Sequence, residues 1–211
     1  MSDATVKTSA TIVGPVRLSY LNVFKARLNN LNQKMEYSVR LLIPKKPTDK
    51  CPDPKKIIDI CADAIKAAKA EKIPDVKVWD NPLRDGDKEL DSNTGEPKEP
   101  GYWYINAKAN EEYPTELCDA KRLPVTPDMG WGSGDWGKVV LAFYGYDQAK
   151  KGVGCGLRCI QFIYKDESLG GGGSVAHLLQ EEQGDDPTAL TSHADSAASP
   201  AVDEYDPFGD E

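Results

Sequence analysis

The stretch from Gly132 to Val139 spells G-x-G-x-x-G-x-V, the spacing of a loop whose bare backbone N–H groups cradle phosphate. Two contexts give that spacing its chemistry. A kinase-type loop needs H-R-D, D-F-G and V-A-I-K partners, and none occurs in the chain. A dinucleotide-binding turn needs a helix directly after the glycines, whereas the residues after Gly137 run as Lys-Val-Val-Leu-Ala-Phe, a β-like sequence. The segment therefore reads as a glycine loop carrying two indoles, Trp131 and Trp136.

A second cluster, RDGDKELDSNTGE, places Asp85, Asp87, Glu89 and Asp91 close together, with Glu96 at the twelfth position of a calcium-loop register. The sixth position of that register is Leu90, where an EF-hand turn requires glycine. A solvated acidic turn accounts for the cluster, and a metal-dependent nuclease built on Asp85 and Asp87 remains as an alternative. Both histidines, His177 and His193, lie near the C-terminus, so the rest of the chain has no imidazole for a Ser-His or Cys-His nucleophile or a His-ligated zinc. The five cysteines include no C-x-x-C and read as reduced thiols; Cys155 and Cys159 share a strand face as small hydrophobes. No catalytic residue, metal or cofactor is expected.

A third pattern interleaves aromatics with bases. In GYWYINAK, Trp103, Ile105 and Ala107 share one face of an alternating strand, leaving Tyr102, Tyr104, Asn106 and Lys108 on the other. The same alternation sets Arg40 opposite Val39 and Leu41, Tyr144 and Tyr146 opposite Leu141 and Phe143, and Arg158 opposite Leu157 and Cys159. Lys150 and Lys151 add loop bases, and Lys25 and Arg27 follow the first strand. Flat π-faces for bases beside cations for phosphates are what single-stranded nucleic acid requires. The alternative for any one of these tyrosines is packing at a barrel end. The expected DNA-binding set is Arg40, Tyr102, Tyr104, Lys108, Trp131, Trp136, Tyr144, Tyr146, Lys150, Lys151 and Arg158.

Five β-like runs must position these residues: VRLSYLNVF (16–24), YSVRLLI (37–43), GYWYINAK, GKVVLAFYGYD (137–147) and VGCGLRCIQFIYK (153–165), the last two joined by a hairpin turn at DQAKKG. One helix is predicted in DPKKIIDICADAIKAAKAE. Asp53 serves as N-cap and Pro54 as N1, and Ile57, Cys61, Ile65 and Ala68 form its apolar stripe. A parallel α/β sheet needs more helices than this, so the fold class is mainly β: an OB-like five-stranded Greek-key barrel with one main helix and long loops.

Charge divides the chain. The first 167 residues hold all 26 bases against 24 acids, a balance of +2, and the remainder holds ten acids and no base, −10. LGGGGS, starting at Leu169, reads as a flexible linker. The residues beyond Ser174 have the composition of a disordered segment, in which VAHLLQEEQ could form a transient helical turn. The domains are thus 1–168, the OB-fold binding domain, and 169–211, the Gly-rich linker and disordered acidic tail. The tail ends in VDEYDPFGDE, where Asp203, Glu204, Asp206, Asp210 and Glu211 surround a single apolar aromatic, Phe208. That pattern suits a partner-binding anchor. No apolar run approaches the roughly 18–20 residues that span a bilayer, and no signal peptide is read at the N-terminus.

VRLSYLNVF, YSVRLLIPK, NPLRDGD, GYWYINAKAN, GWGSGDWGKVVLAFYGYD and KGVGCGLRCIQFI stand in an order that resembles the bacteriophage single-stranded DNA-binding proteins, a family often carried in phage genomes as a domain of unknown function. The resemblance spans about residues 10–175, and the stretch KANEEYPTELCDAKRLPVTPDM matches it less clearly. It implies an OB fold with an acidic C-terminal tail and non-sequence-specific binding of single strands during phage DNA replication and recombination. The protein would then be a binding protein and not an enzyme. Its partners would be single-stranded DNA and, through the tail, replication proteins such as a polymerase, helicase or recombinase; it would act in the cytoplasm of the host cell, away from membranes, as a monomer or homodimer. An interaction adaptor working only through its acidic tail is the other alternative. One topological tension arises. An OB helix usually follows the third strand, whereas this one follows two readable strands, as if the first run bent to serve as two.

Overall fold

The computed structural model describes residues 10–30 and 32–169. The linker beyond Leu169, VAHLLQEEQ and the tail residues Asp203, Glu204, Asp206, Phe208, Asp210 and Glu211 lie outside the described residues. The elements are strands β1 (Ala10–Asn29) and β2 (Lys34–Pro44), helix α1 (Pro54–Lys72), and strands β3 (Arg84–Asp85), β4 (Tyr102–Asn110), β5 (Glu116–Cys118), β6 (Trp136–Asp147) and β7 (Lys151–Tyr164). That helix is too polar to cross a membrane, and no other described helix is long enough.

Five of the strands close on one another. β1 pairs antiparallel with β2, β2 with β4, β6 with β7, and β6 again with β1. The ring is completed by a short parallel contact between β4 and β7, where Lys108 faces Gly156. This is the OB connectivity expected from the sequence. The short β3 and β5 extend the sheet beside β4 and β7. Leu18, Leu41, Ile105, Leu141, Ile160 and Phe162 fill the interior, each at or below about 2% exposure.

β1 explains both the closure and the topological tension. Its first part, Ala10–Arg17, pairs with β6, and from Arg17 onward it pairs with β2. Register shifts fall between Val13 and Val16, between Ser19 and Asn22, and between Asn22 and Arg27. Each shift lets the inward parity change: Val13 is buried, then Val16 and Leu18, then Val23, then Ala26. Bulges of this kind bend a strand and raise its twist. The first run bends as anticipated, yet it stays a single strand, and the helix sits in the connection between the second and third barrel strands.

The helix itself follows its sequence closely. Asp53 accepts the Lys56 N–H at 3.1 Å, Pro54 occupies the first turn, and Ile57, Cys61, Ile65 and Ala68 are buried against the barrel. The backbone donors of a first turn have no partners within the helix, so an oxygen at the N-cap contributes about 1 kcal/mol.

The glycine loop of residues 130–137 has a structural task. Just before β1's second bulge the Leu18 N–H donates to Asp135 O at 2.8 Å, and the Gly134 N–H returns to Leu18 O at 2.7 Å. A strand, β6, follows, so no helix N-terminus faces the glycines. Gly134 has φ +114°, and a Cβ there would lie 2.1 Å from the Glu167 carbonyl oxygen. Gly132 has open space around it. Gly134→Ala should therefore cost on the order of 1–3 kcal/mol in urea-unfolding stability, while Gly132→Ala stays within about 0.5 kcal/mol of the parent.

Candidate nucleic-acid interface

β4 alternates from Ile105 to Asn110, with Ile105, Ala107 and Ala109 buried and Asn106, Lys108 and Asn110 exposed. The outward face of β4, together with those of β1 and β2, forms an open groove of about 490 Å³ lined by Tyr20, Arg27, Asn29, Glu36, Arg40, Asn106 and Lys108, among others. A second groove of about 370 Å³ runs over the β4–β7 seam between Lys108, Tyr113, Tyr144 and Arg158. Lys108 lines both, so the two grooves adjoin at the closure of the barrel.

At the first groove, three side chains stack. The Arg40 guanidinium carbon lies 4.7 Å from the Tyr20 ring centre and 4.8 Å from that of Tyr104. Arg40 Nε donates to Asn106 Oδ1 at 3.0 Å and Nη1 to Glu99 Oε1 at 2.7 Å. Below it the Tyr104 hydroxyl donates to Glu89 at 2.6 Å, and Glu89 also accepts from Arg84 at 2.7 Å. Burial, reinforced by that carboxylate, pushes the Tyr104 phenol up to about 12.

At the second groove, Tyr144 lies over glycine. Gly152, Gly154 and Gly156 face Tyr146, Tyr144 and Ala142 across the β6–β7 ladder. A Cβ at Gly154 would fall 2.4 Å from the Tyr144 ring, so the ring rests on bare backbone. Tyr144 nevertheless keeps about half of its surface exposed.

Electrostatics in the groove are partly satisfied. Lys108 Nζ donates to Glu36 Oε1 at 2.6 Å, and Glu36 also accepts from Asn29 at 2.8 Å and Asn32 at 3.4 Å. The Lys108 side chain is 45% exposed and that of Glu36 13%, so the ammonium is open to an incoming anion while Glu36 keeps the bonds from Asn29 and Asn32. Arg27 and Arg158 are exposed, one in each groove.

Four of the eleven expected residues therefore line the two grooves: Arg40, Lys108, Tyr144 and Arg158. The structure places the others elsewhere. Tyr104 has the parity expected of it, but it is 2% exposed because Arg40 and the carboxylate of Glu89 cover it. Trp136 is also buried, its indole N–H donating to Asp166 at 2.7 Å. Trp131 is half-buried, stacked on Phe162 5.0 Å away with the Lys165 ammonium 4.8 Å from its ring centre, and lines neither groove. Tyr146 lies half-buried over Gly152 with its hydroxyl on Asp80 at 3.3 Å. Lys150 and Lys151 sit by the β6–β7 turn, away from the groove, Lys151 paired with Asp147 at 3.0 Å. Tyr102 is half-buried at the start of β4 opposite Pro44 and lines neither groove.

Tyr20, Tyr113 and Asn106 line the groove without belonging to the expected set. Asn106 lies on the expected face of its strand, but an amide carries neither the π-face nor the charge that marks a nucleic-acid contact in sequence. Tyr20 shares sequence parity with the buried Leu18, so plain alternation counts it inward; the bulge turns it out. Tyr113 follows β4 in a turn, where no periodicity reaches. The glycine stripe of KGVGCG is a legible signal for the ring that lies upon it.

The acidic turn is occupied by a cation of the chain itself. Lys45 Nζ bonds Asp85 and lies 2.6 Å from Asp87, holding both carboxyls below their usual range. Among the described residues no group of three or more His, Cys, Asp or Glu side chains is disposed to hold a metal.

A five-stranded OB barrel with an open groove of tyrosines, asparagines and cations across its closure defines a domain suited to an extended anionic polymer. The chain belongs to the family described as Enterobacter phage Enc34, ssDNA-binding protein, whose model matches residues 9–188. It is 32% identical over 165 residues to the putative protein p50 of Acyrthosiphon pisum secondary endosymbiont phage 1, covering 75% of this chain and 85% of that one. Among solved structures it is similar to the single-stranded DNA-binding protein from bacteriophage Enc34 in complex with ssDNA, with 24% identity, a TM-score of 0.62, and 78% and 91% of the two chains covered. A second structure of the Enc34 protein gives 23% identity and a TM-score of 0.60 over 81% and 89%. At these identities the structural match speaks for the fold.

The Trp136–Asp166 bond ties the start of β6 to the residues after β7. Bonds from Lys50 and from Trp136 hold the Asp166 carboxyl well below the ordinary value of 3.8. A lowered carboxyl stabilises the fold above the unfolded value and loses that contribution as the pH falls through the folded one. As the pH falls below about 4 the unfolded chain takes up a proton that the folded one refuses, so the contribution of this tie should decline, and Asp166→Asn should show a shallower loss of thermal stability over that range than the parent.

Proposed function

We propose that this chain binds single-stranded DNA along the adjoining grooves at the barrel closure, without sequence preference, and organises single strands in phage DNA replication and recombination. The observation that carries this reading is the pair of adjoining grooves, one lined by Tyr20 and the other by Tyr144, with Lys108 shared between them. Two rings separated by cations and amides match a strand whose bases stack while its phosphates are neutralised. Membership of a family described as phage ssDNA-binding proteins, and a solved relative in complex with ssDNA, support the same reading.

Phosphate contacts fall to Lys108, Arg158 and Arg27, with Lys108 exchanging Glu36 for the ligand. The site is a binding surface rather than a catalytic one. Asp85 and Asp87, the pair on which a nuclease would depend, are engaged by Lys45, so no observation favours that alternative. The domain of residues 1–168 supplies the groove. The acidic segment of 169–211 competes with DNA for it, and Phe208 with its flanking acids recruits replication proteins in the host-cell cytoplasm.

Fluorescence anisotropy of the full chain with single-stranded and duplex oligonucleotides at two salt concentrations tests this. Single strands should bind tighter, and the affinity should fall with salt. Lys108→Ala and Arg158→Ala should each lower affinity several-fold and flatten the logarithmic salt slope by roughly 0.7. Truncation after Glu167 removes ten acids and should tighten binding. Equal binding of both DNA forms, or of neither, would contradict the reading.

A further inference from the structure

Tyr20 occupies a backbone conformation that its side chain disfavours. Its φ is +48°, and the other described non-glycine residues with positive φ, Gln33 and Arg122, lie outside the strands. A bulky residue in the left-handed region persists only where its surroundings impose it. Here they do so from both sides. Asn22 Nδ2 donates to the Tyr20 carbonyl at 3.0 Å, and the Leu21 N–H donates to Ser133 Oγ at 2.9 Å. The result is a ring turned out of the barrel, 64% exposed, with the Arg40 guanidinium 4.7 Å from its centre.

Arg40 has little freedom to follow a ligand. It lies between two rings, and Asn106 and Glu99 fix its nitrogens. Glu99 also neutralises it at 2.7 Å, so a phosphate gains less here than at an unpaired cation. We infer that Tyr20 is a preformed stacking platform for a nucleobase, and that Arg40 is its positioning residue rather than a phosphate ligand. This rests on the single-strand reading above. A base landing on a ring already held in place spares the entropy of ordering that ring, and a stacking surface of this kind accepts any base. The glycine loop thus acts on the ligand indirectly, by bracing the bulge that presents Tyr20.

The test compares the full-length protein with oligo-dT and with an abasic strand of equal length, which keeps phosphates and lacks bases. The parent should prefer oligo-dT. Tyr20→Gly should bind oligo-dT roughly ten-fold more weakly, narrow that preference, and melt no lower than the parent, because glycine accepts the positive φ. Arg40→Lys keeps the charge but not the planar sandwich, and it should lose several-fold on oligo-dT while leaving the abasic strand unchanged. A phosphate ligand would tolerate that exchange on both strands. Failure of the parent to bind any single strand overturns the single-strand reading together with this one. Normal parental binding with Tyr20→Gly indistinguishable from it, or Arg40→Lys without effect on oligo-dT, overturns this inference alone.

Discussion

The first strand has to pair with two neighbours that lie on different sides of the barrel, and most of the molecule depends on that demand. A straight β1 could satisfy β6 or β2, not both over its 20 residues. Its register shifts allow the change, and the second one leaves Tyr20 and Leu21, between Ser19 and Asn22, without a partner in the β2 ladder. Backbone groups freed in this way need partners. The glycine loop supplies one through Ser133 Oγ, which accepts the Leu21 N–H, and it grips the strand just before the bulge through the bonds of Gly134 and Asp135 to Leu18. A motif with phosphate-loop spacing is therefore a brace, and its glycines serve a close backbone approach instead of a ligand.

The groove inherits its character from the same bend. Turning Tyr20 outward brings it over Arg40, which the β2–β4 pairing has already set beside Asn106. Two of the cations that line the groove, Arg40 and Lys108, each have a carboxylate opposite, Glu99 and Glu36. Arg40 is further held by Asn106, and the first 167 residues carry a balance of only +2. Single-strand binding at such a surface would draw more on stacking than on phosphate attraction.

Much of this architecture is legible in the sequence, for identifiable reasons. Helix α1 is readable to its N-cap because Asp53-Pro54 and the stripe from Ile57 to Ala68 are local signals. Lys108 and Tyr144 come from period-two alternation, which holds wherever a strand pairs without interruption; Arg158 is exposed at a β6–β7 register shift, between Leu157 paired with Leu141 and Cys159 paired with Val140. Alternation fails at Tyr20 because a bulge reverses the count and leaves no mark in the composition. It is correct yet insufficient at Tyr104, whose face is outward but roofed by Arg40 and Glu89 from distant segments. Trp131 and Trp136 look exposed because they sit among glycines; Phe162 and Asp166, some thirty residues away, claim them.

The central claim is that a single strand follows the path from Tyr20 over Lys108 to Tyr144 and Arg158. Photo-crosslinking of a bromodeoxyuridine-substituted single strand to the full chain, followed by peptide mapping, addresses that path directly. The account predicts adducts on the peptides carrying Tyr20 and Tyr144, and none on Trp131 or Trp136. Adducts concentrated on Tyr102, Tyr146 or the two indoles, with Tyr20 and Tyr144 unmodified, would contradict it.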